Sequence, residues 1–105
     1  METIYLSGPM TGLPDLNKPA FNAMAKKLRM RGYMVVNPPE LDAKEPCGTW
    51  EDCLRRDLRA LTRCDAIATL PGWKKSRGAN LEIFVAKALS YPVRPATSYL
   101  KRKKR

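Results

Sequence analysis

Two carboxylates stand where carboxylates can do chemistry. In "TWEDCLRRDLRALTRCD", Asp57 falls three residues after Leu54 and four before Leu61. On a helix it would lie beside the apolar stripe of Trp50, Leu54, Leu58 and Leu61. Half burial favours the neutral form of such an acid, which suits a general acid or a carboxyl that hydrogen-bonds a substrate. The same spacing also serves a salt bridge to Arg56, Arg59 or Arg63. Glu82 comes four residues after Gly78, in what reads as the first turn of a helix. The amide dipoles there favour the ionised form that a nucleophile needs. A plain glutamate stabilising its helix has the same signature. A capping box fits less well, because Ala79 stands where its serine or threonine should be. The third feature is "YLSGPMTG", Tyr5 to Gly12. Gly8 and Gly12 let the backbone turn tightly and approach a ligand, which makes Ser7, Gly8, Pro9, Thr11 and Gly12 candidate substrate-binding positions. The pattern is neither a Walker loop nor GxGxxG, and a glycine turn after a strand is often only structural.

The elements that must position these residues alternate along the chain. "TIYLS" is short, β-branched and aromatic, so it reads as a strand that the following glycines stop. From Pro19 to Arg31, Phe21, Met24, Ala25 and Leu28 recur at helical spacing, with Gly32 at the exit. "YMVVNPP" reads as a second strand closed by prolines. "ELDAKEPCGT" then reads as an exposed connection whose Thr49 caps a helix from about Trp50 to Arg63. Ala66 to Leu70 form a buried strand, and "PGWKKSRG" is a loop. A helix from about Ala79 to Ser90 is expected to bury Leu81, Phe84, Val85, Ala88 and Leu89, and "YPVRP" reads as a last short strand. Alternating strands and helices imply an α/β fold with a parallel sheet covered on both faces by right-handed crossovers. Ligands in such sheets bind beyond the carboxyl ends of the strands. Asn37, at the end of the second strand, would face that pocket, although a turn-forming asparagine before Pro38 accounts for it more simply.

At 105 residues the chain fits one domain. Its net charge of +10 suggests a polyanion partner, but Lys101 to Arg105 supply five of those charges, leaving 15 basic against 10 acidic residues. That remainder is a mild excess. The three cysteines, Cys47, Cys53 and Cys64, lack CxxC spacing and have no histidine to complete a zinc site, so they read as reduced. No apolar run approaches the ~20 residues of a membrane span. A cytoplasmic protein is expected, with a domain over residues 1–95 and a basic, disordered tail over 96–105.

"IYLSGPMTG", "RDLRALTRCDAIATL" and "SRGANLEIFVAKAL" together resemble the nucleoside 2-deoxyribosyltransferase superfamily, which includes the deoxynucleoside-monophosphate N-glycosidases. The resemblance covers Ile4 to Val93 and is stronger still to a small uncharacterised branch found in phages and prophages. It implies a flavodoxin- or Rossmann-like three-layer sandwich with a mainly parallel sheet. It also implies cleavage of the N-glycosidic bond of a nucleoside or nucleotide, by hydrolysis or deoxyribosyl transfer, with no metal or organic cofactor. By the same resemblance Glu82 in "GANLE" is the nucleophile, Asp57 lies near the sugar and base, and Tyr5 orients the nucleophile. Ser76 binds substrate and Gly78 shapes the loop between Ser76 and Glu82. Pro9 and Thr11 replace the serine and arginine of the monophosphate hydrolases, so contacts to a 5′-phosphate would have to come from Thr11, Lys74, Lys75 and Arg77. A homo-oligomer is implied, since the family's sites are commonly completed by a neighbouring subunit.

Two other functions are compatible with these residues. One is a module that binds a nucleotide, or sequesters a nucleotide signal, without turning it over. The other is a nucleic-acid-binding protein that uses "YLKRKKR", because basic tails gain affinity by neutralising phosphates. The second is the weaker of the two, since the tail offers no aromatic platform beyond Tyr99.

Overall fold

The computed structural model describes residues 2–101. Its sheet has four strands among these residues: β1 (Thr3–Ser7), β2 (Met34–Val36), β3 (Ala66–Thr69) and β4 (Val93–Pro95). They pair in the order β2-β1-β3-β4, and every pairing is parallel. Five helices connect and cover them: α1 (Lys18–Met30), α2 (Pro38–Lys44), α3 (Trp50–Leu61), α4 (Arg77–Ala88) and α5 (Ala96–Leu100). This is the parallel α/β sheet covered on both faces that the alternation of patterns implies, in the flavodoxin-like form that the family resemblance implies.

Each face of the sheet follows from the two-residue period of a strand. Ile4 and Leu6 point into one core with Phe21, Ala25 and Leu28 of α1 and with Ala96 and Tyr99 of α5. Tyr5 and Ile67 point the opposite way, into a second core with Leu61, Ile83 and Ala86. Ser7 shares the parity of Tyr5 and is fully buried, so it faces the α3/α4 layer. Residues Ile4 to Ser7 and Ala66 to Thr69 are all buried, as befits central strands covered on both sides.

Several expectations are met. α1 buries Phe21, Ala25 and Leu28, and Thr49 caps α3 by accepting a hydrogen bond from the Asp52 amide at 3.0 Å. Others need correction. Pro38 and Pro39 begin α2 instead of closing a strand, because proline's fixed φ suits a first helical turn and costs no hydrogen bond there. The segment expected as an exposed connection is therefore partly helical. α4 starts at Arg77, with Ser76 as its cap, and its inward face is not the expected stripe. Ala79, Glu82, Ile83 and Ala86 are buried, whereas Leu81, Phe84 and Leu89 are 39%, 72% and 46% exposed. Apolar residues lie on both sides of this helix, and the side against the sheet is marked by a buried acid, which hydrophobicity alone would turn outward.

The cysteines are also corrected. Cys47 and Cys53 form a disulfide across a Cα–Cα distance of 5.1 Å, within the usual range for such bridges, and only Cys64 is free and buried. Burial, and secondarily the charge of Asp65, pushes the Cys64 thiol up to about 11. The cysteines therefore no longer argue for a reducing compartment. At the C-terminus, residues 96–100 are helical, and Tyr99 is fully buried with its ring edge-on to Tyr33 at 5.3 Å. The tail expected from residue 96 thus begins no earlier than Lys101, and positions 102–105 lie outside the described residues. None of the described helices is long and apolar enough to cross a membrane.

Candidate functional site

In the order β2-β1-β3-β4 the chain leaves β1 toward one edge and later returns to build β3 and β4 on the other side. The switch point therefore lies between the carboxyl ends of β1 and β3, where open α/β sheets bind ligands. Ser7 ends β1 and Thr69 ends β3, and the two are register partners. The loops that follow also meet: a Cβ on Gly72 would stand 3.4 Å from the Pro9 ring.

α4 brings Glu82 to this point. Its carboxylate is 7% exposed and is held by both inward side chains of β1. The Tyr5 hydroxyl donates to Oε2 at 2.8 Å and the Ser7 hydroxyl donates to Oε1 at 2.7 Å. Two donors on separate oxygens fix the plane of the carboxylate and leave lone pairs on each oxygen. Electrostatically the site differs from the first-turn expectation. Glu82 lies in the second turn of α4, and burial pushes it up to about 7; the Ser7 and Tyr5 hydrogen bonds act the other way, and the charge of Asp57 adds to the rise. Tyr5 is raised well above its ordinary value by burial and then by Glu82. It therefore remains a neutral donor.

Asp57 has a side chain 13% exposed and is close enough to raise both Tyr5 and Glu82 through its charge. It is half buried, as one sequence reading requires, and also ion-paired, as the other does. Its partner is Arg56, whose Nε donates to Asp57 Oδ1 at 3.0 Å. Burial holds the Asp57 carboxyl above the usual carboxylate range, and Arg56 opposes that rise without cancelling it.

The structure thus gathers Tyr5, Ser7, Asp57 and Glu82. The remaining candidates are placed differently. Gly8 is buried, and a Cβ there would come within 2.8 Å of Leu70 Cβ, so packing already explains this glycine. Gly8→Ala should destabilise the protein by about 1–3 kcal/mol, as overpacking does, measured by denaturant melts. Thr11 and Gly12 are exposed, and Gly12 has φ +85 with open space around it. Pro9 accepts a hydrogen bond from Asn17 Nδ2 at 2.9 Å through its carbonyl. Asn37 is buried, but its amide nitrogen donates to Asn22 of α1 at 2.9 Å and to Glu40 of α2 at 3.0 Å. The side chain is therefore tied to the α1 side of the sheet instead of facing Glu82, and Oδ1 has no partner among the described residues. Ser76 caps α4, accepting from the Ala79 amide at 3.2 Å. Gly78 stands in the first turn of α4 with nothing within 4 Å of an added Cβ. Gly78→Ala should therefore stabilise the fold by about 0.5–1 kcal/mol through helix propensity. A loss of ligand binding in that stabilised variant would show that the glycine is there for the ligand.

One residue of the site, Thr69, is not marked by the sequence, and Arg56 is marked there only as one of three possible salt-bridge partners of Asp57, not as buried. Thr69 is buried beside Ser7, and its place at the end of a buried strand was the available signal. Arg56 is 6% exposed, and no local pattern marks a buried arginine between exposed ones. A cleft of about 440 Å3 adjoins Thr69 and is lined by Gly72, Trp73, Lys74 and Lys75 from the β3–α4 loop, with Met24 and Ala96 on its far side. Glu82 is not part of that lining.

These features define a class: a doubly wound, flavodoxin-like α/β protein with a buried, hydrogen-bonded carboxylate at its switch point. Residues 2–94 match the family described as "Domain of unknown function (DUF4406)", and the chain belongs to that family. Among solved structures it is similar to one described as "Solution Structure of BlsM", with a TM-score of 0.65 and 22% identity, over 87% of this chain and 61% of that one. At that identity the likeness carries the fold alone, and the chain spans less than two thirds of that protein. A comparison with curated proteins found no match.

Proposed function

We propose that this protein is a member of the nucleoside 2-deoxyribosyltransferase-like superfamily, in its small phage and prophage branch, and that it cleaves the N-glycosidic bond of a nucleoside or nucleotide at Glu82. The observation that carries this reading is the grip of Tyr5 and Ser7 on the two oxygens of a buried carboxylate. An acid placed only to stabilise a helix has no need of burial or of two donors from the central strand.

The reaction is a double displacement. A Glu82 oxygen attacks the anomeric carbon while the carbon–nitrogen bond breaks, and the base leaves with the electron pair and takes up a proton. Water, or a second base, then attacks the same carbon and gives up a proton to the acid that protonated the first base, or to solvent. The ester bond to Glu82 breaks, and the carboxylate is restored. Asp57, held above the ordinary carboxylate range, is suited to protonate the departing base or to hydrogen-bond the sugar. Tyr5 and Ser7 keep the nucleophile oriented through both steps. The adjoining cleft offers the Trp73 ring and two lysines, groups that suit a base and an anionic substituent.

A screen of nucleosides and nucleoside monophosphates for free base by chromatography tests the reading. A 2-deoxy-2-fluoro nucleoside with a good leaving base should trap an adduct on the peptide containing "GANLEIF", detected by mass spectrometry. No base released from any compound, together with tight binding that Glu82→Ala weakens, would favour the binding-module reading. Because the nucleophile must be ionised and burial places Glu82 at about 7, kcat/KM should rise with pH through that region. A rate that is flat between about pH 5 and about pH 9 would count against Glu82 as the nucleophile.

The exposed Leu81 and Phe84 on the outer face of α4, with Leu89 exposed just past its end, support a homo-oligomer, and Phe84→Glu should shift elution in size-exclusion chromatography toward the monomer. A cytoplasmic location is part of the same proposal.

A further inference from the structure

Arg56 holds together parts of the chain that are far apart in function. Its side chain is 7% exposed. On one side Nη1 donates to Asp42 Oδ1 at 2.9 Å, to the Glu45 carbonyl at 3.0 Å and to Cys47 Sγ at 3.3 Å. On the other side Nε donates to Asp57 Oδ1 at 3.0 Å. The disulfide completes the arrangement. Cys53 lies one helical turn before Arg56 on α3, so the two are neighbours on the helix surface, and its bond to Cys47 draws the preceding loop over the guanidinium.

We propose that Arg56 is a positioning residue that fixes the Asp57 carboxylate for the Glu82 site, and that the loop tied down by Cys47–Cys53 fixes Arg56 in turn. The planar guanidinium is what makes this work. One edge is used up by α2 and the loop, so the Nε edge can reach Asp57 in a single orientation, and a lysine ammonium cannot serve both sides at once. Besides Arg56, which hydrogen-bonds it, the groups whose charge couples to Asp57 are Asp42 of α2, Tyr5 of β1 and Glu82 of α4. Arg56 is the one cation in that set, and removing it leaves burial and the repulsion from Asp42 unopposed.

The kinetic consequence rests on the catalytic reading above, but the positioning itself does not. The test is a pH titration of the full chain labelled with 13C-carboxyl aspartate, with the Asp57 resonance assigned through Asp57→Asn. In Arg56→Gln the Asp57 midpoint should rise by about one unit or more. Arg56→Lys, which keeps a charge and most of the volume in case the glutamine variant fails to fold, should show a smaller rise. Cys53→Ser, and wild type treated with dithiothreitol, should move the midpoint the same way. In the second case the dithiol supplies two electrons and two protons to the cystine and closes to its own disulfide. With a substrate in hand, kcat of Arg56→Lys should fall about 10^2-fold with KM little changed, as for a misplaced catalytic group. An Asp57 midpoint unmoved in both Arg56 variants overturns the proposal. A midpoint that moves with Arg56 but not with Cys53→Ser or reduction overturns the role of the loop. If the Arg56 variants move the midpoint but wild type releases no base from any nucleoside, the catalytic reading fails and the positioning stands. If wild type releases base and the midpoint does not move, the reverse holds.

Discussion

Glu82→Gln should abolish base release, lowering kcat by at least about 10^4-fold, the scale on which loss of a nucleophile acts in hydrolases. It should do so without unfolding the protein. The amide keeps the shape of the carboxyl, and the hydroxyls of Tyr5 and Ser7, now 2.8 and 2.7 Å from its oxygens, can rotate to accept as well as donate. The substitution also carries a stability signature. Burial raises Glu82 from its ordinary value to about 7, so the folded protein holds this proton more tightly than the unfolded chain does. Its contribution to stability is complete below the unfolded value and is lost as pH rises through the folded one. By linkage the loss amounts to about 3 kcal/mol. Denaturant melts from about pH 4 to about pH 8 should show the wild type losing that amount relative to Glu82→Gln. A variant that still releases base at the wild-type rate would remove Glu82 as the nucleophile. Parallel stability curves would show that the carboxylate is not desolvated in solution.

Asp57→Asn should lower turnover by about 10^2- to 10^4-fold, the range that a positioned acid or base contributes, with the melting temperature changed by only a few degrees. The asparagine oxygen can still accept from Arg56 Nε, now at 3.0 Å, while Arg56 keeps its second carboxylate partner, Asp42, at 2.9 Å. The guanidinium is thus not left as an unpaired buried charge. The alternative is a purely structural ion pair, which predicts the reverse: lost stability and retained turnover. Measuring the rate and the melting temperature on the same preparation separates the two. Substrates whose base leaves readily should suffer least, because they need the least help from an acid, and an equal loss for good and poor leaving bases would assign Asp57 to the sugar instead.

The local pattern of the chain determined a good part of this. The β-branched run "TIYLS", the helical spacing of Phe21, Ala25 and Leu28, the cap at Thr49 and the buried strand at Ala66 are short-range facts, set by backbone propensity and by periodicity. They sufficed for a parallel sheet covered on both faces, and they marked Asp57 and Glu82 as residues of interest, whereas Tyr5 was marked by the family resemblance. The tertiary structure decided what depends on residues far apart in sequence. Glu82 read as a dipole-stabilised first-turn acid because the sequence shows only its own helix. The sheet that desolvates it, and the hydroxyls that hold it, come from β1 more than 70 residues away. The same separation hid the inward face of α4, since the larger apolar residues Leu81 and Phe84 lie on the opposite side and only packing shows which side meets the strands. Cys47 and Cys53 looked like free thiols, because pairing depends on how the loop after α2 folds back on α3. The prolines at 38 and 39 were ambiguous between ending a strand and starting a helix, as proline permits both. The burial of Arg56, flanked by exposed arginines, follows from where Asp42, Glu45 and Cys47 converge, and no pattern along α3 alone encodes that meeting.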